Sequence, residues 1–510
     1  MMTNSVDEVR GIDTVGENQE ALYMNITHKG NLVHVTPVPQ GLPAILTGQF
    51  SSRETVPIHD EYGNVIRTKV TYPVKALKVY HMARNGTFLI VPSGMLPRIR
   101  AFARHAKIPI TYVGERLTLP PADLSSMPSS TLRIGQPEML AGVLSCTRGR
   151  HKAPAGLGKS FIVGVICAIL PDIKILICSP NISVNNGLYR ETTKYVGESQ
   201  VRRIYGKFGK LKSEIRKDER VIITTNASLH KIDKAWPDLV IVDECHQAGS
   251  PQVYLPLMQF TNSCIHGMSA TPTGRGDSAD IIVEALFGPN LTNVNYQEGV
   301  QAGAVAQMRV IAVDINIGTI KADLRKEVEH VGYYWNDVRT KALVDARNYF
   351  VPADISTLYY CATLEHCLRL QKLYLPNVPI AHSGVTKARW ADLVKTGIVT
   401  AEEYPLYAKC DTDALEQQLR DGIIPAAICT PTWRQGTDFS NLGCLVRFDG
   451  QSSSILAEQI PGRAGRIGSD GNKNLGYLVD CTDNFGPNYR RRWCKRVKVY
   501  RENGWEIKLV

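Results

Sequence analysis

The stretch that decides the fold is Ala153-Pro154-Ala155-Gly156-Leu157-Gly158-Lys159-Ser160. Its two glycines allow a turn tight enough for several backbone N–H groups to face one anion. The lysine can reach the β- and γ-phosphates of a nucleotide, and the serine hydroxyl can bind magnesium. The usual pattern begins with glycine where this chain has Ala153, and a small residue suffices where φ stays negative. The stretch therefore predicts a phosphate-binding loop, followed by a helix from Ser160 to Leu170 that points its positive end at the anion.

A second stretch supplies two carboxylates. The apolar run 239–242 ends in Asp243-Glu244-Cys245-His246. Open α/β sheets bind ligands at the carboxyl ends of their parallel strands, so we expect both carboxylates beside the loop. Asp243 can hold magnesium together with Ser160, and Glu244 can polarise an attacking water. A solvated acidic turn is the alternative for this pair alone, but with the loop the pair predicts a site for ATP and Mg²⁺.

Short β-rich runs alternate with helical stretches through most of the chain, which predicts parallel sheets covered by helices on both faces. The residues just before the loop, 148–152, are unusually polar for a strand buried in such a sheet. The polar stretch Gly288–Gly303 predicts a hinge between two lobes, and residues 390–416 predict a helical surface insertion. The runs of the first lobe are Ile173–Cys178, Val221–Thr225, Leu239–Val242 and Ile265–Met268, and those of the second are Met308–Val313, Ser356–Cys361, Ala426–Cys429, Cys444–Phe448 and Leu475–Val479.

The order of the motifs resembles that of superfamily 2 helicases of the DEAH/DECH-box kind, whose second motif ends in histidine. The resemblance covers roughly residues 130–480 and implies an α/β fold with two tandem RecA-like domains, at 129–300 and 301–510. The segments that carry it, in chain order, are Arg133 with Gln136, the phosphate loop, Ser179-Pro180-Asn181, Thr224 to Leu229, Asp243 to His246, Ser269-Ala270-Thr271, His382-Ser383-Gly384, Thr430 to Asp438 and Gln459 to Arg466.

The resemblance also implies roles for individual residues. Arg463 and Arg466 look like the arginine fingers that neutralise charge on the γ-phosphate across the cleft. For two arginines near a glycine, a solvated face is the alternative. The remaining nucleotide-side positions are Gln459 as the γ-phosphate sensor, Gly436 and Asp438 on the second lobe, Arg133 and Gln136 around the adenine, and His246, Ser269 and Thr271 as couplers of hydrolysis to polymer movement.

A further set of positions matches those that touch the sugar-phosphate path in the family. Hydroxyl, amide and backbone N–H groups suit backbone contacts, which hold a polymer without reading its sequence. Trp433 could stack on a base or act as a wedge, although a packed core tryptophan is the more common fate. The other members of the set are Ser179, Pro180, Asn181, Thr225, Asn226 and Thr430.

The first 128 residues carry no nucleotide motif and predict a small α+β accessory domain. Phe88 to Arg100 reads as a strand, a Pro-x-Gly turn and a basic helix. This segment resembles the amino-terminal module of UvsW-type phage recombination helicases and of XPB-like and RecG-like proteins. The resemblance implies that Arg98 and Arg104 rest on duplex phosphates, and a solvated helix face is the alternative.

Composition is consistent with these expectations. The net charge of +11 over 510 residues favours a polyanionic partner bound without sequence preference. No run approaches the ~18–20 uninterrupted apolar residues that span a bilayer, and the start lacks the order of a secretory signal. None of the twelve cysteines forms a Cys-x-x-Cys pair, which argues against zinc ribbons and fits a reducing cytoplasm, of the host cell if the protein is phage-encoded.

These observations lead to one hypothesis and several alternatives. The leading hypothesis is an ATP-dependent DNA helicase or translocase, active as a monomer, that remodels branched or duplex DNA in phage-type replication, recombination or repair; single-stranded DNA is a further expected partner. The alternatives are an RNA helicase, a DNA-stimulated ATPase that does not separate strands, the motor subunit of a restriction-like nuclease, and a non-enzymatic clamp. Intact Lys159, Asp243, Glu244 and Arg466 argue against the clamp.

Overall fold

The computed structural model covers most of the chain. Gln459, Gly436 and Asp438 lie outside the described residues, and only the backbone of Arg463 lies inside them. The described residues are 23–51, 54–59, 65–71, 74–83, 86–208, 215–216, 218–272, 280–315, 317–320, 328–433, 439, 441–452, 457, 461–466 and 474–510.

An N-terminal module of mixed β-structure precedes the lobes. Its main sheet has the order β7-β8-β2-β1-β9, antiparallel except for the parallel pair β1 and β9, while β3 pairs with β6 and β4 with β5. Its strands are β1 (Met24–Lys29), β2 (Leu32–Thr36), β3 (Thr47–Ser51), β4 (Glu54–His59), β5 (Val65–Thr71), β6 (Val74–Lys78), β7 (His81–Met82), β8 (Leu89–Pro92) and β9 (Ile110–Val113), and its helices are α1 (Leu42–Ile45) and α2 (Leu96–His105).

The first lobe is a parallel sheet of seven strands in the order β12-β13-β11-β14-β15-β10-β16. Its strands are β10 (Arg148–Lys152), β11 (Ile175–Ser179), β12 (Val201–Ile204), β13 (Val221–Thr225), β14 (Leu239–Asp243), β15 (Cys264–Ser269) and β16 (Asn290–Asn293). Its helices are α3 (Gln136–Ser145), α4 (Lys159–Ile169), α5 (Ile182–Val196), α6 (Pro251–Met258), α7 (Asp280–Phe287) and α8 (Tyr296–Gln301).

The second lobe is another parallel sheet of seven strands, in the order β19-β20-β18-β21-β22-β17-β23. Its strands are β17 (Gln307–Val313), β18 (Thr357–Tyr360), β19 (Ile380–Ala381), β20 (Ala426–Cys429), β21 (Cys444–Arg447), β22 (Leu475–Cys481) and β23 (Glu506–Leu509). Its helices are α9 (Asp337–Phe350), α10 (Leu364–Tyr374), α11 (Lys387–Lys395), α12 (Tyr404–Tyr407), α13 (Thr412–Arg420) and α14 (Pro487–Glu502).

The two lobes share one topology. Numbered from its own first strand, each sheet has the order 3-4-2-5-6-1-7. Strands such as β11 and β13 are buried along their whole length and rich in isoleucine, as expected where helices cover both faces of a parallel sheet. The fold prediction of two RecA-like parallel-sheet domains with an N-terminal α+β module is confirmed, whereas the boundaries after residues 128 and 300 stay predictions.

Of two further predicted segments, the first differs from the structure in detail and the second agrees with it. The stretch from Gly288 to Gly303, predicted as a hinge, contains the edge strand β16 and helix α8, whose first turn is closed by a capping box between Asn295 and Glu298. The insertion at 390–416 is helical as predicted. It packs onto the second lobe through Trp390, which is 3% exposed and donates from Nε1 to the carbonyl of Thr400 at 2.9 Å.

Among the described residues, every helix is too short or too polar to cross a membrane.

Candidate active site

The predicted phosphate loop connects β10 to α4. Gly156 has φ +91° and Gly158 φ +87°, the left-handed region that only glycine enters readily. Helix α4 begins at Lys159, directly after Gly158. The lysine Nζ donates to the carbonyls of Ala153 and Pro154 at 3.0 and 3.2 Å. The ammonium is therefore held over the loop, at the positive end of the helix.

Gln136 ties the segment before α3 to the loop. It is 2% exposed. Its Oε1 accepts from the backbone N–H of Arg133 at 2.8 Å, and its Nε2 donates to the carbonyl of Leu157 at 2.8 Å. The structure thus places the predicted adenine-side residues against the loop itself. Their contact with a base stays a prediction.

The two carboxylates lie at the end of β14, where Asp243 is the last residue of the strand and Glu244 follows it. The backbone N–H of Glu244 donates to Oδ1 of Asp243 at 3.0 Å, and Glu244 has φ +51°. Burial raises the pKa of Asp243 to about 7, and the neighbouring charge of Glu244 adds to the shift while that of Lys159 opposes it. A carboxyl whose ionised form is disfavoured in this way is a site where a bound cation lowers the energy of the charge.

The three predicted coupling residues lie together beside Glu244. Oγ of Ser269 donates to Oε2 of Glu244 at 3.2 Å and lies 3.0 Å from Nδ1 of His246. The same Oγ accepts from the backbone N–H of Thr271 at 3.1 Å. The carbonyl of Ser269 accepts from the backbone N–H of Ala153 at 3.2 Å. Ser269 therefore contacts the candidate base and the start of the phosphate loop at once.

The second lobe meets the loop through residues 461–466. A Cβ placed on Gly156 would lie 3.0 Å from Cγ of Arg466, and one on Gly462 would lie 3.3 Å from Cβ of Ala155. Lys159, Asp243, Glu244 and Arg466 are thus brought to one seam between the lobes. This is the arrangement that the motif order predicts.

The predicted polymer-path residues sit at the carboxyl ends of β11, β13 and β20. The side chains of three of them form hydrogen bonds within the first lobe. Oγ of Ser179 donates to Oδ1 of Asn185 at 2.6 Å. Oδ1 of Asn181 caps α5 by accepting from the N–H of Val184 at 3.0 Å, and Oγ1 of Thr225 donates to Ser228 at 3.2 Å. Pro180, Asn226 and Thr430 occupy matching loop positions; contact of the set with nucleic acid stays a prediction.

Trp433 requires a correction. It is 2% exposed and packs edge-on against Phe439, with the ring centroids 5.1 Å apart. The prediction that it stacks on a base or wedges a duplex is therefore wrong for this structure, because a ring enclosed on all sides offers no face to a polymer. The indole belongs to the core of the second lobe.

The two candidate phosphate-binding residues of α2 differ in their surroundings. Arg98 forms a bidentate ion pair with Glu284 of α7, at 2.7 and 2.8 Å, so its guanidinium is committed to the first lobe. Arg104 is exposed on the same helix. Phosphate contact by either residue stays a prediction.

A cleft of about 690 Å³ separates the lobes beside α5. On the first-lobe wall, the guanidinium of Arg203 lies 4.1 Å from the ring centroid of Tyr189. On the second-lobe wall, Arg420 pairs with Glu416 at 2.5 Å, and Arg190 of α5 approaches the same carboxylate at 4.0 Å. The cleft therefore has cations on both walls, aromatic rings on the first-lobe wall and the carboxylates of Asp413 and Glu416 on the second-lobe wall.

The polar side chains of strand β10, which are unusual for a buried strand, form a buried hydrogen-bond network. Arg148, Arg150 and His151 are 5%, 7% and 0% exposed. Nε2 of His151 lies 3.2 Å from Nδ1 of His266, and Nε2 of His266 lies 2.9 Å from the carbonyl of Cys146. Burial lowers the pKa of His151 to about 4 and that of His266 to about 3, so the pair is neutral. The run of basic residues before the loop was the available signal for this buried network.

Comparisons with known proteins agree with this architecture. Residues 131–274 match the family described as type III restriction enzyme, res subunit (ResIII). A comparison with curated proteins finds no match. The fold is similar to a fragment of a putative HsdR subunit of a type I restriction enzyme from Vibrio vulnificus YJ016, with a TM-score of 0.52 and 16% identity over 92% of this chain and 94% of that one.

Two further solved structures are similar at low identity. A variant of S. cerevisiae Dbp5 bound to RNA and ADP BeF3 aligns with a TM-score of 0.50 and 14% identity over 74% of this chain and 89% of that one. UvsW of bacteriophage T4 aligns with a TM-score of 0.40 and 13% identity over 96% of this chain and 99% of that one. The DEAH/DECH subtype and the XPB-like and RecG-like features stay predictions.

Proposed function

We propose that the chain is a superfamily 2 helicase, an enzyme that hydrolyses ATP in response to nucleic acid, and that it acts as an ATP-driven DNA translocase that remodels branched DNA. Forks and four-way junctions are the proposed substrates, and one chain is the proposed active unit. The observation that supports the motor most strongly is the meeting of the phosphate loop with Arg466 of the other lobe. A nucleotide at this seam would touch both lobes.

Each residue at the seam has a proposed role. Lys159 binds the β- and γ-phosphates, Glu244 orients and deprotonates the attacking water, and Arg466 with Arg463 neutralises charge that develops on the γ-phosphate. Ser160 and Asp243 offer a hydroxyl and a carboxylate oxygen, the hard ligands that Mg²⁺ prefers. The raised pKa of Asp243 fits such a site. Magnesium bound there would screen the phosphate charge.

Nucleotide-dependent closure follows from this geometry. ATP held between Lys159 and Arg466 favours the closed seam, and hydrolysis removes the group that joins the two lobes. Ser269 links the candidate base to the loop and to His246, so it is placed to sense that change. Surfaces of the two lobes then shift relative to each other once per cycle.

We propose that the polymer crosses the cleft beside α5. Arg203, Arg190 and Arg420 supply cations on both walls, which suits a phosphate backbone bound without sequence preference. Tyr189 and Phe208 supply rings on which bases can stack. Because each wall belongs to a different lobe, closure of the seam would change the width of this path.

DNA is favoured over RNA by the family match, since the family is named for a restriction enzyme subunit and restriction enzymes act on DNA. The branched substrate is favoured by the N-terminal module. This module carries the basic helix α2 with Arg104 exposed, so it offers a second basic surface that a junction arm could reach.

ATP hydrolysis measured with four nucleic acids tests the proposal. We expect four-way junctions and forked DNA to stimulate turnover more than linear duplex, and single-stranded RNA to stimulate it least. Lys159→Ala and Glu244→Gln should abolish turnover while nucleic-acid binding is retained. Equal stimulation by RNA and junction DNA would defeat the branched-DNA assignment. Turnover that survives Glu244→Gln would remove Glu244 as the base.

A second candidate function is the motor subunit of a restriction-like nuclease, which the family match favours. If this alternative is correct, we expect ATP-driven movement along intact duplex DNA without strand separation. Displacement of a third strand from a triplex reports translocation alone, whereas release of one strand from a fork reports separation. Triplex displacement without fork opening would favour the restriction-like motor over the branched-DNA helicase.

A further inference from the structure

Strand β10 leads straight into the phosphate loop, yet its side chains are basic. Arg148 stands at its first position and is 5% exposed. A buried guanidinium is costly unless all its donors are satisfied. Burial lowers the pKa of Arg148 to about 9. Among the described residues, its hydrogen-bond partners are all neutral oxygens. The positions of these oxygens therefore decide whether the buried charge is tolerated.

Two of those oxygens belong to the N-terminal module. Nε of Arg148 donates to Oγ of Ser93 at 2.7 Å, and Nη2 donates to the carbonyl of Asn31 at 3.2 Å. Nη1 donates to the carbonyl of Leu286 in α7 of the first lobe. One side chain of the loop-bearing strand therefore bridges the module and the helix that flanks the strand.

The module is docked closely enough to fix these acceptors. A Cβ on Gly94 would lie 2.4 Å from the carbonyl oxygen of Ala285, so the backbones touch. The N–H of Asn31 donates to the carbonyl of Thr261 at 2.5 Å. One apolar cluster runs without a break from Ile26 and Val35 of the module into the first lobe. The module and the first lobe therefore form one packed body at this contact.

Strand β10 links the contact at Arg148 to the phosphate loop at its other end. β10 pairs in register with β15 from Arg148 to Lys152, where Lys152 lies opposite Ser269. The next residue, Ala153, donates its N–H to Ser269 and accepts from Nζ of Lys159 at 3.0 Å. A displacement of β10 along its own axis would therefore move the carbonyl that holds the phosphate-binding lysine.

We propose that Arg148 is a positioning residue for the nucleotide site, which it serves by tying the loop-bearing strand to the N-terminal module. ATP affinity would then depend on a contact that the module supplies. The inference deepens the proposed ATPase function and rests on it for turnover measurements. ATP binding can be measured without turnover, which separates the two.

Three variants alter the contact between Arg148 and the N-terminal module, two of them at Arg148 and one at Ser93. Arg148→Met keeps the length and removes the donors, Arg148→Lys keeps the charge and some of the donor capacity, and Ser93→Ala removes one acceptor from the module alone. The matched control is Glu284→Gln, which weakens a different contact of the module, the ion pair with Arg98, and leaves the hydrogen bonds of Arg148 in place.

We expect the Kd of a fluorescent ATP analogue and the KM for ATP to rise about tenfold in Arg148→Met, while kcat changes less than about twofold. Ser93→Ala should shift both in the same direction by about threefold, and Arg148→Lys should be closer to wild type than Arg148→Met. Glu284→Gln should leave both unchanged. All measurements are made well below the melting temperature of each variant.

Unchanged ATP affinity in these variants would contradict the positioning role of Arg148. If Ser93→Ala and Arg148→Met lower only the melting temperature, with unchanged ATP affinity, Arg148 is a structural anchor and the inference fails. Should Arg148→Met not fold, Ser93→Ala decides by the same criterion. A wild-type protein that binds the analogue but shows no nucleic-acid-stimulated turnover would defeat the proposed function while leaving the binding test of Arg148 intact.

Discussion

A Cβ on Gly156 would lie 3.0 Å from Cγ of Arg466 and 3.6 Å from its Cα. Gly156 is thus required twice, for its φ of +91° and for the space that the second lobe occupies. Arg466 therefore rests directly against the phosphate loop at this point. A guanidinium in this place is within reach of a nucleotide bound by the loop.

Removal of that guanidinium should affect turnover more than binding. We expect Arg466→Ala to lower kcat by roughly 10³-fold, because charge on the transferring phosphoryl group loses its partner from the second lobe. The Kd for a fluorescent ATP analogue should change only a few-fold. The control is Arg309→Ala, which removes an exposed guanidinium from the first strand of the same lobe, where it pairs with Glu506. Equal turnover in the two variants would show that Arg466 does not act on the phosphate.

Loss of the Ser269 hydroxyl should separate hydrolysis from movement. Its Oγ bonds Glu244 and lies 3.0 Å from His246, so we expect Ser269→Ala to hydrolyse ATP within about threefold of wild type but to separate about tenfold fewer base pairs per ATP. Ser263→Ala is the control, since Ser263 is a buried serine just before the same strand and its hydroxyl donates to the carbonyl of Pro237. If Ser269→Ala separates as many base pairs per ATP as wild type, Ser269 does not couple hydrolysis to movement.

The enclosed carboxyl of Asp243 makes a prediction about pH. In the unfolded chain this group ionises near pH 4, whereas in the folded protein burial raises its pKa to about 7. The folded state therefore loses stability as pH rises from about 4 to about 7, and the deficit stays constant above that range. Asp243→Asn removes the deficit.

Thermal unfolding at several pH values tests whether the ionisation of Asp243 lowers the stability of the folded protein. At pH 8 we expect Asp243→Asn to be more stable than wild type by on the order of 2 kcal/mol, a few degrees in Tm, with no difference near pH 4. Asp238→Asn is the control, because Asp238 is an exposed carboxylate just before the same strand. A lower Tm for Asp243→Asn at pH 8 would contradict the burial argument.

Much of this architecture follows from the sequence because its signals are local. The runs Val221–Thr225 and Ala426–Cys429 were predicted with the bounds that the structure gives, since both are short, apolar and β-rich. The phosphate loop follows from spacing alone. The edge strands β12, β16, β19 and β23 were not predicted, because edge strands are short, partly polar and defined by the neighbour they pair with.

Other features depend on contacts that no local pattern encodes. Arg98 reads as a phosphate ligand on a basic helix, but its partner is Glu284, which lies far away in the chain. Arg148 and His151 are typical of a surface strand, yet they are buried because the N-terminal module and β15 supply their hydrogen-bond partners. Whether a polar side chain is exposed is decided by tertiary packing, so residue type alone could not predict the partners of these side chains.

Trp433 gives the sharpest contrast between a motif position and its surroundings. Its neighbours in the sequence match the polymer path, but the indole is 2% exposed against Phe439. We expect Trp433→Ala to lower the free energy of unfolding by about 3–5 kcal/mol through the cavity it leaves. Trp433→Phe, which keeps a ring in the site, should lose less. Nucleic-acid affinity of both variants, measured well below their melting temperatures, should equal that of wild type within about twofold, because stacking contributes roughly 1–3 kcal/mol per base only where a ring is accessible. A tenfold loss of affinity in a folded Trp433→Phe protein would mean that the indole leaves the core when the polymer binds.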